Sequence, residues 1–524
     1  MRNFNFIIVF FVIIISISPY NYVNKVSAAS SSQFSYYDLW NEQKKEQPNK
    51  NLNYKFTFNK IDNKIHFDNP YLGINGYMNE SWNYNFNNAY NFMRFFKHDA
   101  RIDFYSENYN YEKYITKSYI YGHTLDLLKK YTKVTTKKME INDYIVNKVE
   151  YSRPKINTIN NDLNSYTYYF IETEDSIKIL HLKTNLLRKE YYQDELERNI
   201  LNFEFEKAFP ITYEENKKFA KNYKKTTYFS TAKGLLKVPT GKILLGAYTE
   251  TDYQFNKLRS DTKGKPVVRA FYKSIVSNFD QEVWKFSEKG QIPMVSMLFE
   301  IANNNNKNIM SETISGKYDL NIKSWALGTK LTKGDVLFRI GNEMNGNWSK
   351  WGPGNNYNDS DLYQLAFLRV RNIFEKNNVK NAKFVFNPNS QSSPDLSWND
   401  NVMYYPGSNK TDFIGITAYN YGTRSKDKPQ NFKNVYSPIY YEMSSKYPYK
   451  PMIIAEIGAV EDKYAPKSKF INDAYLVPQA LFPSIKAVVW FDQDHLPYRL
   501  RFSSSKSSYE ALKQLRYRKS IVSY

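Results

Sequence analysis

The sequence predicts an α/β fold preceded by a mostly β region, and three observations carry this prediction. Eight short apolar runs lie in the chain beyond residue 238. Amphipathic stretches separate them, for example DSDLYQLAFLRVRNIFEKN at residues 359–377. Upstream, the chain is rich in Tyr, Thr, Ile and Lys, and several segments there favour extended structure. Continuous apolar runs predict strands covered on both faces, whereas mixed runs rich in Tyr, Thr and Ile predict half-buried strands.

The eight runs set the architecture of the second half. They are KILLGAYT (242–249), KPVVRAFY (265–272), QIPMVSML (291–298), DVLFRIGNE (335–343), AKFVFNPN (382–389), DFIGITAY (412–419), PMIIAEIG (451–458) and KAVVWFDQD (486–494). Eight strands that alternate with helices over about 280 residues predict a (β/α)8 TIM barrel at residues 238–524. The alternative is an open doubly wound sheet. The absence of a glycine-rich nucleotide loop after the first run favours the barrel.

The N-terminal segment predicts export. Residues 1–29 hold an early Arg2, an apolar run of about 14 residues and then small residues near Ala28 and Ala29, as in a secretory signal peptide. The run is shorter than the roughly 20 residues that a membrane-spanning helix needs. An uncleaved anchor is the alternative. We therefore expect a secreted, extracellular protein, with attachment to the cell surface as a second outcome and no membrane span after cleavage.

Two further regions precede the barrel. Residues 30–50 are polar and predict a flexible lead-in, and residues 51–235 predict a β-rich accessory domain to which no motif assigns a role. Within it, SYTYYFIETEDSIKILHLKTN (165–185) predicts a hairpin because two extended runs flank a Glu-Asp-Ser turn. This domain could itself anchor the protein or bind a ligand, and the sequence does not separate these roles.

Charge and composition limit the classes of molecule that the protein is expected to bind. The net charge is +21, but the lysines are dispersed and no nucleic-acid-binding motif is present, so we expect no nucleic-acid partner. A basic surface suits an anionic cell wall or exopolysaccharide. The chain has no cysteine and therefore no disulfide. No His/Asp/Glu cluster has the spacing of metal ligands, so we expect no metal and no cofactor.

Polar residues at the predicted strand ends indicate the chemistry, because TIM-barrel active sites lie at the carboxyl ends of the strands. The fourth run ends in Asn342 and Glu343, and the seventh reaches Glu456. Strands three positions apart face each other across the barrel mouth. Two opposed carboxylates in an open cleft are the equipment of glycoside hydrolysis, one acting as an acid and the other as a nucleophile.

Two of the chain's 8 tryptophans, Trp348 and Trp351, follow Glu343 closely. Aromatic faces stack on the apolar faces of sugar rings, so we expect both to line substrate subsites beside the carboxylates. Polar and aromatic residues at the end of the eighth run, Trp490 and Asp492, are further candidates for substrate binding.

The segment FRIGNEMNGNWSKWG (338–352) resembles the fourth-strand motif of glycoside hydrolase family 26. PMIIAEIG is similar to that family's seventh-strand nucleophile motif, DFIGITAYNYG to its sixth-strand segment and AVVWFDQDHLPYRL to its eighth strand. The resemblance covers residues 240–515. The family consists of retaining β-glycanases, chiefly β-mannanases, with some β-1,3-xylanases and mixed-linkage β-glucanases.

The resemblance implies a role for each matching residue. Glu343 is implied as the acid/base and Glu456 as the nucleophile, with Tyr419 hydrogen-bonded to the nucleophile. Arg339 is implied to lie beneath the site and Trp348 to line it. Two positions depart from the family pattern. Asn342 stands where the family usually has histidine, as in the wider clan where such an asparagine binds the sugar 2-hydroxyl, and Tyr498 stands where the family often has tryptophan.

The sequence thus predicts a secreted retaining endo-β-glycanase that acts on β-mannan or glucomannan. A β-1,4 or mixed-linkage glucan is the second choice of substrate, and an exopolysaccharide of the producing organism is the third. The rival hypothesis is a non-catalytic carbohydrate-binding surface protein on a hydrolase-like barrel. Loss of either glutamate would favour the rival, and both are present.

Overall fold

A computed structural model provides the three-dimensional description. It describes residues 34–46, 55–109, 120–122, 124–126, 128–129, 132–303, 308–424 and 430–524. The predicted signal peptide, residues 1–29, lies outside these ranges. Within them, no helix has both the length and the apolar character needed to cross a membrane.

The first part of the chain is mostly β, as predicted. Its strands are β1 (Phe34–Ser35), β2 (Thr57–Ile61), β3 (Lys64–Asn69), β4 (Ile74–Asn79), β5 (Asn83–Asn85), β6 (Met93–Phe96), β7 (Ala100–Asn108), β8 (Thr135–Ile141), β9 (Tyr144–Ser152), β10 (Ile159–Asn160), β11 (Ser165–Glu172), β12 (Ser176–Thr184) and β13 (Glu204–Phe205). Its helices include α1 (Tyr36–Lys45), α2 (Lys189–Ile200) and α3 (Tyr213–Phe219). The predicted hairpin at 165–185 is confirmed, since β11 and β12 pair antiparallel.

Two sheets organise this part. Strands in the order β5-β6-β7-β12-β11-β9-β8 form a seven-stranded sheet, called here the accessory sheet, and β13-β4-β3-β2 form a four-stranded one. In β11, Tyr169 and Ile171 pack in the core between the sheets, whereas Tyr168 and Phe170 belong to the core that includes the barrel helices. Alternate residues of a strand point to opposite faces. Strand β11, in the interior of the accessory sheet, is therefore buried on both faces.

The structure differs from the expected flexible lead-in at residues 30–50. Helix α1 lies within this segment, and its Trp40 is fully buried. The Trp40 indole N–H donates to Asp361 of the barrel at 3.2 Å. Ser35 caps the helix by accepting from the Asp38 N–H. Burial of a tryptophan against distant residues orders a segment whose local sequence is polar.

The barrel prediction is confirmed. Its parallel strands are β16 (Ile243–Tyr248), β17 (Pro266–Ser274), β18 (Ile292–Leu298), β19 (Val336–Ile340), β20 (Ala382–Phe386), β21 (Phe413–Asn420), β22 (Met452–Ala459) and β23 (Ile485–Phe491). They pair in chain order, and β16 also pairs with β17 and β23, so the ring is closed. A short strand β24 (Ile521–Val522) adds to β16.

Helices surround the barrel and cover the outer faces of its strands. They are α4 (Asp252–Asp261), α5 (Gln281–Glu288), α6 (Ile309–Ile314), α7 (Asp319–Lys330), α8 (Ser360–Lys376), α9 (Phe432–Lys446), α10 (Lys467–Ala474), α11 (Val477–Ala480) and α12 (Lys506–Gln514). Helix α8 begins after Asp359, whose side chain accepts from the Asp361 N–H. It is mostly buried because it lies between the barrel and the accessory sheet.

A hairpin closes the end of the barrel opposite the predicted site. It consists of β14 (Thr227–Thr231) and β15 (Gly234–Val238). Phe229 stacks on Phe413, the first residue of β21, with ring centroids 5.6 Å apart. Leu236 and Val238 join the barrel-interior core. This hairpin therefore packs with the barrel, although most of it precedes the predicted boundary at 235–238.

Buried charges join the accessory sheet to α8. The cations Arg94, Arg101 and Lys183 come from the sheet and the carboxylates Asp359 and Asp361 from the barrel. Arg101 Nη1 lies 2.5 Å from Asp361 Oδ2, and Lys183 Nζ lies 2.8 Å from Asp359 Oδ2. Burial raises the pKa of Asp361, but Arg101, Lys183 and Arg94 outweigh this effect and hold it well below the usual range. The two parts of the chain thus compensate each other's buried charge.

We expect Asp361→Asn to lower the free energy of unfolding by about 3–5 kcal/mol, because it removes one of the few carboxylates that compensate three buried cations. The matched control is Asp473→Asn, which removes an (i, i+4) pair with the exposed Lys469 and should cost at most about 0.5 kcal/mol. Urea titration of both variants measures the difference. Because the pKa of Asp361 is depressed, its contribution is present at neutral pH and is lost as pH falls through the folded-state pKa. Equal losses in the two variants would contradict the prediction.

Candidate active site

Glu343 follows β19 in a backbone turn that aims its side chain into a cleft. Its φ of 57° lies in the left-handed region, which is uncommon for a residue with a Cβ and is found preferentially at functional sites. The Glu343 N–H donates to the Asn387 carbonyl at 2.8 Å, which holds the turn. Gly341 also has a positive φ, and a Cβ there would lie 2.7 Å from the Phe299 ring. Glycine is therefore required two residues before Glu343.

Glu456 lies on β22 and is held by three side chains. Arg339 Nη1 donates to Oε1 at 2.6 Å, and the Tyr419 hydroxyl donates to Oε2 at 2.8 Å. Asn342 Nδ2 makes a longer contact with Oε1 at 3.4 Å. The register of β22 against β23 shifts between Ile454 and Ile457, the kind of irregularity that re-aims a side chain.

The two glutamates lie in different electrostatic environments. Burial and the nearby negative charge of Glu456 raise the pKa of Glu343 to about 7, while the Trp348 indole N–H opposes the shift. The Arg339 guanidinium is fully buried and forms an ion pair with Glu456, with Nη1 2.6 Å from Oε1. With a pKa of about 7, Glu343 carries a proton in a substantial fraction of molecules near neutral pH, whereas Glu456 is paired with a cation. Such a difference separates the acid from the nucleophile.

Both carboxylates open into one cleft of about 1060 Å³ at the carboxyl ends of the strands. Aromatic side chains line it, namely Tyr272, Trp348, Trp351, Tyr419, Tyr421 and Phe491. Polar side chains line it as well, among them Glu300, Asn342, Asn389, Gln391, Ser392 and Asn420. Tyr421 bridges Tyr419 and Tyr498, with ring centroids 5.7 and 4.4 Å apart. Aromatic faces interleaved with amide and hydroxyl groups suit a carbohydrate ligand.

Most of the predicted site residues lie in this cleft. Asn342, Trp348, Trp351 and Tyr419 line it, and Arg339 lies beneath it in contact with Glu456. Trp348 is 56% exposed and donates to Glu343 Oε2 at 2.8 Å. Trp351 is only 6% exposed and donates to the Asn342 carbonyl at 2.8 Å, so it supports the turn from below. The roles of these residues toward substrate stay predictions.

Trp490 and Asp492 are predicted substrate-binding residues that do not line the cleft. Trp490 is fully buried, and its indole N–H donates to the Leu500 carbonyl at 2.9 Å. Asp492 accepts from the Phe502 N–H at 2.7 Å. Phe491 lies between them and does line the cleft. Neighbouring strand residues point to opposite faces. Because Phe491 faces the cleft, Trp490 and Asp492 on either side of it face away.

Sequence reasoning missed Tyr272, Tyr421 and Phe491. Tyr272 lies on β17, and burial together with the nearby charge of Glu456 holds the pKa of its hydroxyl well above the usual value. The alternation of side chains along a strand is the signal that points to Phe491, because it separates Phe491 from its neighbours Trp490 and Asp492. Among the described residues, no group of three or more His, Cys, Asp or Glu side chains could hold a metal ion.

We expect Trp348→Phe to shift the alkaline limb of the pH dependence of hydrolysis upward by about one unit. The indole N–H stabilises the charged form of Glu343, so its loss raises the pKa of that carboxyl further. The pH profile of kcat/KM measures the shift. The matched control is Trp351→Phe, which removes an indole bonded to a carbonyl and should leave the limb in place. A downward shift in Trp348→Phe would contradict the prediction.

Comparison with known proteins adds independent findings. Residues 287–488 match the sequence profile of the family described as Glycosyl hydrolase family 26. Endoglucanase H of Acetivibrio thermocellus is 31% identical over 184 residues, which cover 34% of this chain and 20% of that protein. A mannan endo-1,4-beta-mannosidase of Bacillus subtilis is 32% identical over 134 residues, which cover 23% of this chain and 34% of that protein. The matches thus span about a fifth and a third of these relatives.

A solved structure of a GH26 beta-mannanase from Bacteroides ovatus aligns with 54% of this chain and 90% of its own, at 15% identity and a TM-score of 0.40. The family match includes the strand ends that carry Glu343 and Glu456. The part of this chain from residue 287 to residue 488 belongs to glycosyl hydrolase family 26.

Proposed function

We propose that the protein is a secreted endo-β-glycanase that hydrolyses β-mannan, glucomannan or a related β-glucan with retention of anomeric configuration. The observation that carries the proposal is the pair Glu343 and Glu456 in one cleft. One carboxyl has a raised pKa, and the other is ion-paired with Arg339. Family membership supports a glycosidase, and the names of the two relatives support mannan and glucan as substrates.

The first step forms a glycosyl ester. A Glu456 oxygen attacks the anomeric carbon, the bond to the leaving oxygen breaks, and Glu343 gives its proton to that oxygen. Tyr419 and Arg339 each donate to one oxygen of Glu456 and orient the carboxylate before attack. Their hydrogen bonds rearrange as negative charge leaves the carboxylate. The Glu343 carboxyl becomes ionised at the end of this step.

The second step hydrolyses the ester. Ionised Glu343 takes a proton from water, the oxygen of that water attacks the anomeric carbon, and Glu456 leaves as a carboxylate. The Trp348 N–H stabilises Glu343 most in the glycosyl ester, the state in which that carboxyl is charged. Two inversions at one carbon give net retention.

The cleft suits a neutral chain of several sugars. Its volume of about 1060 Å³ exceeds the upper part of the range for small-molecule pockets, roughly 300–1000 Å³. Room for more than one ring supports internal cleavage. The lining contains the carboxylates Glu300, Glu343 and Glu456 and the single lysine Lys350 among its charged residues. This balance disfavours an acidic polymer within the cleft, although the net charge of +21 suits contact with an anionic wall elsewhere.

Reducing-sugar release by the protein without residues 1–29 tests the proposal. The substrates are mannan, glucomannan, mixed-linkage glucan, β-1,3-xylan and an acidic exopolysaccharide, and the control protein is Glu456→Ala. We expect release from mannan, glucomannan or a glucan that the variant lacks. No release from any of these polymers by a folded protein would overturn the hydrolase and favour a carbohydrate-binding protein. The N-terminus of the protein recovered from culture medium tests export.

A further inference from the structure

One wall of the cleft is irregular backbone that follows β20. Residues 389–393, called here the amide wall, present amide and hydroxyl side chains to the cleft. These groups both donate and accept hydrogen bonds, as sugar hydroxyls do. A single bridge pairs this backbone with β21, where the Ser390 N–H donates to the Thr417 carbonyl at 2.8 Å, so most of its shape depends on side-chain partners. The residues that hold the amide wall thus determine how it meets a substrate.

From the inside, Asn345 holds the amide wall. Its Nδ2 donates to the Asn389 carbonyl at 3.0 Å and to Ser392 Oγ at 3.1 Å, and its Oδ1 accepts from the Asn389 N–H at 2.9 Å. The Asn345 carbonyl accepts from the Ser393 N–H at 2.8 Å. Asn345 is 1% exposed and lies two residues after Glu343. The amide wall and the proposed acid/base therefore share one anchoring residue.

From the outside, the accessory sheet holds the segment that follows the amide wall. Glu107 of β7 accepts from the Ser397 N–H and from Ser397 Oγ, both at 2.5 Å. The next residue, Trp398, is 3% exposed and donates its indole N–H to Thr124 at 3.2 Å. No residue of the accessory sheet is among those that line the cleft. One path of contacts from the accessory sheet to the cleft therefore runs through this segment.

Asn399 connects the segment held by Glu107 to Asn345. Its Nδ2 donates to the Asn345 carbonyl and to the Pro394 carbonyl, each at 2.9 Å, and its own carbonyl accepts from Ser392 Oγ at 2.9 Å. Asn399 is fully buried and lies two residues from Ser397. A continuous chain of contacts thus runs from Glu107 through Ser397 and Asn399 to the amide wall.

We propose that Glu107 of the accessory sheet is a positioning residue that holds the amide wall in its substrate-binding shape. The accessory sheet would then be part of the substrate site rather than an independent module. The proposal rests on the proposed function, because it gives the amide wall a role in binding a polysaccharide. Glu107 does not touch substrate, and its effect is on the affinity for long substrates more than on the chemical step.

Three variants separate positioning from stability. Glu107→Ala removes the carboxylate oxygen that accepts from both Ser397 donors. Ser397→Ala removes the hydroxyl donor and leaves the backbone N–H of residue 397 bonded to Glu107. Glu197→Gln is the matched control, since Glu197 accepts from Lys148 at 2.9 Å and from the Tyr169 hydroxyl at 2.8 Å within the accessory region. Glu197 has no contact with the amide wall among its hydrogen bonds.

Hydrogen exchange of the amides at 388–400 is measured first, because it needs no activity. We expect faster exchange there in Glu107→Ala, a smaller increase in Ser397→Ala and no change in Glu197→Gln. With the active polymer as substrate, we expect KM to rise about 10-fold in Glu107→Ala while kcat changes less than about threefold. With an aryl glycoside of a single sugar, we expect KM to change far less.

Each outcome decides the matter. Unchanged exchange at 388–400 in Glu107→Ala overturns the proposal. So does an equal change in Glu197→Gln, because that result would show a general loss of stability. A wild-type protein that hydrolyses none of the polymers overturns the proposed function, and the exchange measurement then still decides whether Glu107 holds the amide wall. If Glu107→Ala does not fold, Ser397→Ala carries the same comparison.

Discussion

Glu456→Ala is expected to reduce hydrolysis by on the order of 10⁵-fold or more, and added azide is expected to restore turnover as an α-glycosyl azide. A nucleophile held in place by Arg339 and Tyr419 has a large effective concentration, and alanine removes it. Azide fits the vacated space and attacks the β-glycoside from the same face as the missing carboxylate. One inversion then gives the α product.

The substrate for this experiment is an aryl β-glycoside with an acidic leaving phenol, which departs without help from Glu343. Anomeric proton couplings in the nuclear magnetic resonance spectrum identify the azide product. The control is Glu250→Ala, since Glu250 lies past the end of β16, pairs with Arg501 and does not line the cleft. A β-glycosyl azide from Glu456→Ala would reverse the assignment of the two glutamates. Wild-type activity in Glu456→Ala would show that Glu456 is neither the nucleophile nor the acid/base.

Glu343→Ala is expected to lower hydrolysis of a polysaccharide by about 10²- to 10⁴-fold, because the leaving sugar oxygen then departs without a proton. An aryl glycoside with an acidic phenol should still form the glycosyl ester at a rate near that of the wild type. Azide should attack that ester from the face that Glu343 occupied and give a β-glycosyl azide. The two glutamate variants thus yield azides of opposite configuration.

The pH dependence gives a second test of Glu343. The pKa of its carboxyl is raised to about 7, and the first step needs the protonated form, so kcat/KM should fall as pH rises through about 7. This alkaline limb should disappear in Glu343→Ala, because the titrating group is gone. A limb that persists unchanged in the variant would show that another group titrates there.

Local sequence patterns predicted the barrel well because each barrel strand is a continuous apolar run. All eight runs coincide with observed strands to within a few residues, for example DVLFRIGNE at 335–343 with Val336–Ile340. The carboxyl ends of parallel strands meet on one face, so the positions of Glu343 and Glu456 followed from the runs alone. Asn342 could be predicted for the same reason, since it follows shortly after β19, and Trp348 lies in the loop after the same strand.

Two features depended on contacts between residues far apart in the chain. Helix α1 forms in a polar segment because Trp40 is buried against α8, 321 positions away. Lysines and arginines of the accessory region resembled a solvated surface, yet Arg101 is buried in an ion pair with Asp361, 260 positions away. Neither partner is recognisable from its own neighbours in the sequence.

The sequence by itself determined the barrel, the order of its strands and the two strand-end glutamates, because hydrophobic continuity and strand ends are local properties. Only the tertiary structure decided which face each residue takes, as the cleft-facing Phe491 between Trp490 and Asp492 shows. It also decided that the accessory sheet holds the segment beside the cleft through Glu107 and Ser397. A hydrogen bond across 290 positions depends on how separate layers pack, and no local pattern encodes that packing.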